Sequence, residues 1–89
     1  MQVKLKVKQD YMNPNLKVIY TDNEVTPELV NKVKEILEEE KEVRVSFDVI
    51  GSTLHTILSN QLKEELKDKY KVEIKRYECK VSKEIKYAR

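Results

Sequence analysis

Hydrophobic and charged residues alternate strictly at the start of the chain. Between Gln2 and Lys8 the odd positions hold valine or leucine, and the even positions after Gln2 hold Lys4, Lys6 and Lys8. A period of two residues is typical of a β-strand with one buried face, so this segment is predicted to be a strand. Its other face is then a row of lysines.

A second strand is predicted after the turn signal Asn13-Pro14-Asn15. The segment from Leu16 to Thr21 is rich in residues that favour strands, and its alternation predicts that Leu16, Val18 and Tyr20 point inward. Because the connection between the two strands is short, they are predicted to pair as a hairpin.

The first helix is predicted to begin at Thr26-Pro27-Glu28. This tripeptide combines an N-cap residue, a proline at the first helical position and an early carboxylate. Apolar residues then recur at helical spacing as far as about Glu40, and they are Leu29, Val30, Val33, Ile36 and Leu37.

A third strand and a second helix follow. The strand ends at Gly51, and its apolar residues, which alternate with polar ones, are Val43, Val45, Phe47 and Val49. Ser52 or Thr53 is expected to cap the second helix, which ends near Lys69. The apolar stripe of this helix comprises Leu54, Ile57, Leu58, Leu62 and Leu66.

The chain is again strand-like from Tyr70 onward, with Val72 and Ile74 on one face. The alternation slips near Arg76-Tyr77, which predicts a bulge or a hairpin, and the turn is placed between Val81 and Glu84. The element order is therefore ββαβαββ. Since the third strand alternates instead of being apolar throughout, only one face of the sheet is expected to be covered by helices.

The predicted fold class is thus α/β (α+β), a two-layer sandwich in one domain over residues 1–89. A five-stranded mixed sheet would carry both helices on one face and leave the other face open. The strands are expected in sequential order, with the second, third and fourth parallel and the first and last antiparallel at the edges.

Charge is sorted along this chain. The segment from Asp22 to Glu42 holds eight acidic residues and three lysines, a net charge of −5, and because the whole chain carries +2 the remainder carries +7. A composition of 39% hydrophobic and 38% charged residues is that of a folded domain. An acidic first helix set against basic strands indicates a binding surface.

The open face of the predicted sheet is basic. Its cations are diluted by Asp48 and Glu73, and they are Lys4, Lys6, Lys8, Lys17, Arg44, Lys71 and Lys75. Such a surface binds nucleic-acid phosphates with little dependence on sequence. We therefore expect a small non-enzymatic domain that contacts RNA or DNA, with Tyr77 and Tyr11 as the aromatic residues available for stacking.

Two alternatives stay open at this point. A protein partner would dock on an edge strand or on the acidic residues of the first helix and its end, which are Glu35, Glu38, Glu39 and Glu42. In a structural or designed domain without a ligand, the lysines would only solvate an uncovered sheet and protect its edges. The lysine- and glutamate-rich composition, with one glycine and two prolines, fits a thermophile, a low-GC genome or a designed chain.

No catalytic, cofactor or metal pattern stands out. Gly51-Ser52-Thr53 is a lone strand-to-helix turn, without the repeated glycines of a dinucleotide site or the lysine of a P-loop. His55 and Cys79 are interpreted as structural residues, and no enzyme activity is expected. Apolar runs fall far short of the roughly 20 residues that cross a bilayer, and the N-terminal segment lacks a signal peptide's apolar core, so a cytoplasmic protein without a membrane partner is expected.

The order βαβαββ, counted from the second strand, resembles that of the C-terminal domain of translation initiation factor three, the Alba chromatin proteins and the Smr nucleases. The resemblance implies a two-layer fold that binds nucleic acid. Thr21-Asp22-Asn23 lacks the Smr histidine, and Asp22-Asn23-Glu24 is acidic where Alba proteins carry a lysine-rich loop. No functional residue is therefore transferred from these families.

Overall fold

The computed structural model describes residues 5–83, which form seven elements in the predicted order. These elements are β1 (Lys6–Gln9), β2 (Lys17–Thr21), α1 (Pro27–Glu39), β3 (Glu42–Phe47), α2 (Ser52–Leu66), β4 (Tyr70–Lys75) and β5 (Glu78–Lys83). The strands form one five-stranded mixed sheet, and both helices pack on the same face of it. The predicted fold class is confirmed.

The order of the strands differs from the prediction. The sheet runs β1-β2-β3-β5-β4, with β2 parallel to β3 and every other neighbouring pair antiparallel. β5 thus lies between β3 and β4, and β4 forms the edge. Burial accounts for this arrangement, because Cys79 and Val81 of β5 are fully buried whereas Ile74 of β4 is only partly covered.

The core lies between the sheet and the two helices. Residues of both layers are almost completely buried there, and they include Ile19, Leu29, Val33, Leu37, Val43, Val45, Leu62, Leu66, Cys79 and Val81. Removing this apolar surface from water is the main force that holds the two layers together. In the part of the chain that the structure describes, no helix has the length and apolar character needed to cross a membrane.

Helix α1 begins as the sequence predicts. Thr26 is its N-cap, and the Leu29 backbone N–H donates to Thr26 Oγ1 at 3.2 Å. Pro27 occupies the first helical turn, where its missing N–H would have had no helical partner in any case. The five apolar residues predicted for this helix are all buried.

The side-chain phase of β2 is the reverse of the prediction. Ile19 pairs with Val45 and lies in the core, whereas Tyr20 pairs with Lys6 and Ser46 on the open face and stays 44% exposed. Val18 is also buried, but on the open face. Because Val18 and Ile19 are adjacent, apolar and buried on opposite faces, the alternation does not show which side chains of β2 face the helices.

Helix α2 is rotated relative to its predicted stripe. Gly51 is the N-cap, with no side-chain hydrogen bond, so the expected caps at Ser52 and Thr53 are wrong. Leu54 and Ile57 are exposed instead of buried, and the buried face comprises His55, Leu58, Ser59, Leu62 and Leu66. The core side of the helix accepts two polar residues that a purely apolar pattern leaves out.

The final hairpin turns earlier than predicted. Lys75 pairs with Glu78, so the turn is Arg76-Tyr77, and Val81 lies within a strand. Tyr77 has a φ of 61°, a left-handed conformation that glycine or asparagine usually occupies. Because neither residue type is present at this turn, the sequence carried no turn signal there. Glu84, at the end of the predicted turn, lies outside the described residues.

Candidate nucleic-acid interface

The strand register defines the cations on the open face of the sheet. Within residues 5–83 these are Lys6, Lys8, Arg44, Lys71, Lys75 and Lys80. Lys80 was missed by the sequence analysis, because its face depends on where the last hairpin turns. Its register partners Arg44 and Glu73 place it near the middle of the sheet.

Two cations predicted for the open face do not belong to its described part. Lys17 pairs with Val43, so it shares the helix-covered face with Ile19, and its predicted position is wrong. The inverted phase of β2 is the reason. Lys4 lies outside the described residues.

The centre of the open face is a network of ion pairs. Arg44 lies between two carboxylates, with its Nη1 at 3.6 Å from Asp10 Oδ2 and its Nη2 at 3.7 Å from Glu78 Oε1. Lys71 Nζ is 3.7 Å from Glu73 Oε1. Lys80 Nζ is 3.8 Å from Glu42 Oε2. The middle of the face is therefore close to neutral, and its cations are balanced by more carboxylates than the sequence predicts.

The acidic residues predicted to dock a protein partner are divided between two faces. Glu42 lies on the open face, where its Oε2 is 3.8 Å from Lys80 Nζ, apart from the three glutamates of the helix. Glu35 is on α1 and pairs with Lys32 at 3.2 Å. Glu38 and Glu39 are exposed at the end of the same helix. Glu42 is on a different face from these helix residues because β3 begins at Glu42.

On the open face, two of the three described cations without an ion pair lie on the edge strand β1. Lys6, Lys8 and Lys75 make no ion pair with another residue of the described range. Lys6 lies directly opposite Tyr20, and Lys8 Nζ is 5.9 Å from the centroid of the Tyr20 ring. The ammonium of Lys8 therefore interacts with the face of an exposed aromatic ring. Lys75 is at the far edge of the sheet.

A small cleft adjoins Tyr20 at the carboxyl ends of β2 and β3. It has a volume of about 290 Å³, and its lining includes Lys6, Tyr20, Ser46, Asp22 and Asp48. We call it the Tyr20 cleft. Tyr20 was missed as a candidate because the sequence placed it in the core. The sequence shows alternating lysines on one strand and a tyrosine on the strand that pairs with it. It does not show that the tyrosine and the lysines lie on the same face of the sheet.

A larger groove of about 580 Å³ lies between the two helices. Most of its lining residues are apolar or neutral, among them Val25, Pro27 and Val30. The charged residues of the lining are one lysine, Lys34, and two glutamates. Because negative charge exceeds positive charge there, the groove is unsuited to phosphate. It also lies on the helical side of the molecule, away from the open face.

His55, Ser59 and Cys79 form a buried polar cluster between α2 and β5. Ser59 Oγ lies 3.5 Å from His55 Nε2, and the His55 ring packs edge-on against Phe47. Burial raises the pKa of Cys79 to about 11, and this outweighs the opposing effect of its hydrogen bond to Ser59. All three residues are shielded from solvent, so this cluster offers no access to a substrate.

Among residues 5–83, no three His, Cys, Asp or Glu side chains are grouped closely enough to hold a metal ion.

No protein-family model matches the chain, and comparisons with curated proteins and with solved structures return no significant match.

Proposed function

We propose that this domain binds nucleic acid through the open face of its sheet, mainly along β1. The observation that carries the proposal is the position of Lys6 and Lys8, which lack ion-pair partners within residues 5–83 and flank the exposed Tyr20. Two cations beside an aromatic ring combine the groups that contact the phosphate and the base.

The spacing of the two lysines suits a phosphate backbone. They are two residues apart on one strand, so both point to the same face and their Cα atoms are separated by about 6.7 Å. Each phosphate that a lysine neutralises releases condensed counterions, and this release favours binding at low salt. β1 is an edge strand, and among residues 5–83 no further strand pairs with its outer side.

The paired cations of the open face extend this surface. Arg44, Lys71 and Lys80 are held by carboxylates at 3.6 to 3.8 Å, and their side chains remain partly exposed. Exposed ion pairs of this kind contribute about 0 to 1 kcal/mol, so a phosphate can replace a carboxylate at little cost. Lys6 and Lys8 need no such exchange, which is why they are expected to dominate affinity.

A matched pair of charge reversals tests the proposal. One variant carries Lys6→Glu and Lys8→Glu, and the control carries Lys34→Glu and Lys63→Glu on the exposed surfaces of the two helices. Both variants have the same net charge. Affinity for a labelled mixed-sequence oligonucleotide, measured by fluorescence anisotropy, is expected to fall at least about tenfold in the first variant and to change less than about threefold in the control. Equal losses in both variants would contradict the proposed surface.

A further inference from the structure

We infer that the Tyr20 cleft receives an unpaired base, so that the domain prefers single-stranded nucleic acid to a duplex. This inference rests on the proposed function and specifies its ligand. It depends on three features of the cleft: an accessible aromatic ring, the separation of its positive and negative charges, and its small volume.

The Tyr20 ring is accessible on the sheet surface. It is 44% exposed, and its register partner on β3 is Ser46, whose small side chain leaves space beside the ring. On its other side lies Lys6, on the edge strand, and Lys8 Nζ stands over one face of the ring at 5.9 Å from its centroid. A base that stacks on this face displaces the Lys8 ammonium. An aromatic ring displayed on an open sheet stacks on a base that is not already stacked between neighbours. The bases of a duplex are not available in this way.

Charge within the cleft favours a base over a phosphate. Asp48 contributes a carboxylate to its lining, and a carboxylate repels a phosphate. An ionised carboxylate is only an acceptor, and the exocyclic amino groups of guanine, adenine and cytosine are donors. Lys6 lines the β1 side of the cleft, and together with Lys8, which lies outside the lining, it supplies the positive charge that a phosphate requires. The backbone is therefore expected along β1 and the base in the cleft.

The volume of the cleft supports a single ring system. At about 290 Å³, it lies just below the range for drug-sized small-molecule pockets. Tyr11 and Tyr77 are also exposed, but neither belongs to the five strands of the sheet. Tyr20 alone among these three tyrosines lies on the open face between strands that carry Lys6, Lys8 and Arg44.

The test compares one mixed-sequence strand, as DNA and as RNA, with the duplex of the same sequence. Wild type is expected to bind the single strand at least about fivefold more tightly than the duplex. Tyr20→Ala is expected to weaken single-strand binding by about 5- to 100-fold and to change duplex binding by less than about twofold, while Tyr20→Phe retains the affinity. Tyr11→Ala is the matched control, and its affinity is expected to stay unchanged.

A direct readout comes from Tyr20→Trp, because the chain contains no tryptophan. The indole keeps a stacking surface and is the only tryptophan, so its fluorescence is expected to be quenched by the single strand and not by the duplex. Binding of DNA, RNA or both supports the inference, and their ratio identifies the preferred sugar.

Two outcomes would overturn the inference, and they differ in what they say of the proposed function. If Tyr20→Ala binds the single strand within about twofold of wild type, while Lys6→Glu with Lys8→Glu abolishes binding, the sheet binds phosphate and the cleft takes no base. If wild type binds neither strand nor duplex, both the inference and the proposed function are wrong.

Discussion

Two buried threonines give opposite predictions for the same substitution. Thr21 Oγ1 has no hydrogen-bond partner in the described part of the chain, whereas Thr26 Oγ1 accepts from the Leu29 N–H at the start of α1. A buried hydroxyl without a hydrogen-bond partner destabilises the folded state, whereas an N-cap hydroxyl stabilises it. Thr21→Val is expected to raise the free energy of unfolding by about 1 kcal/mol, and Thr26→Val to lower it by about 1 kcal/mol. Urea unfolding measures both, and a destabilised Thr21→Val variant would contradict the assignment.

The thiol of Cys79 predicts a pH dependence of stability. Burial raises its pKa from the ordinary 9.0 to about 11, so the unfolded chain loses this proton at lower pH than the folded protein. The contribution is fully present below about pH 9 and is lost as the pH rises towards about 11. Over that interval wild type is expected to lose about 2 kcal/mol of unfolding free energy more than Cys79→Ala.

Urea unfolding of both proteins at about pH 8 and about pH 11 checks this difference. The titration of the lysines is common to wild type and variant, so it cancels when the two are compared. A gap in stability between the two proteins that is the same at both pH values would show that the Cys79 thiol is not shielded.

At the scale of elements, the hairpin between β4 and β5 holds a tyrosine where glycine is usual. Tyr77 has a φ of 61°, and its ring lies 6.2 Å from that of His55. The Tyr77→Gly and Tyr77→Ala variants both lose this ring, so their difference reports the backbone alone. The glycine variant is expected to be more stable by about 1 kcal/mol.

The reverse order is expected at an ordinary strand position. Lys71→Gly in β4 should be less stable than Lys71→Ala by about 0.5 to 1 kcal/mol, since glycine loses more conformational freedom on folding. Thermal or urea unfolding of the four variants gives both comparisons. If glycine is the less stable residue at position 77 as well, the turn does not adopt the left-handed conformation.

The elements differ in how well the sequence predicts them. Helix α1 and the buried face of strand β3 were predicted well, because a cap with a proline and a clean alternation each have one physical interpretation. β3 ends at Phe47, however, and not at Gly51 as predicted. The phase of β2 was not, since Val18 and Ile19 are both buried. The face of α2 was also missed, because the hydrogen bond between His55 and Ser59 allows polar residues into the core.

At the scale of the whole molecule, the strand order decides how the sorted charges are displayed. With β5 between β3 and β4, Lys80 faces Arg44 and Glu78 reaches the same network, so the centre of the sheet is nearly balanced. No local pattern predicts this insertion, because it depends on which strand the helices bury more deeply. The row of lysines on β1 was visible in the sequence. Its position beside Tyr20 was not, because the phase of β2 was predicted wrongly.

We propose that Lys6, Lys8 and the paired cations around them bind nucleic-acid phosphates. The most direct test of this claim is the affinity of the wild-type protein for a labelled single strand at about 50 and 200 mM salt. With about three phosphates neutralised, the dissociation constant is expected to rise by about ten- to twentyfold over this range. Binding that is absent at the lower salt, or unchanged at the higher, would contradict the claim.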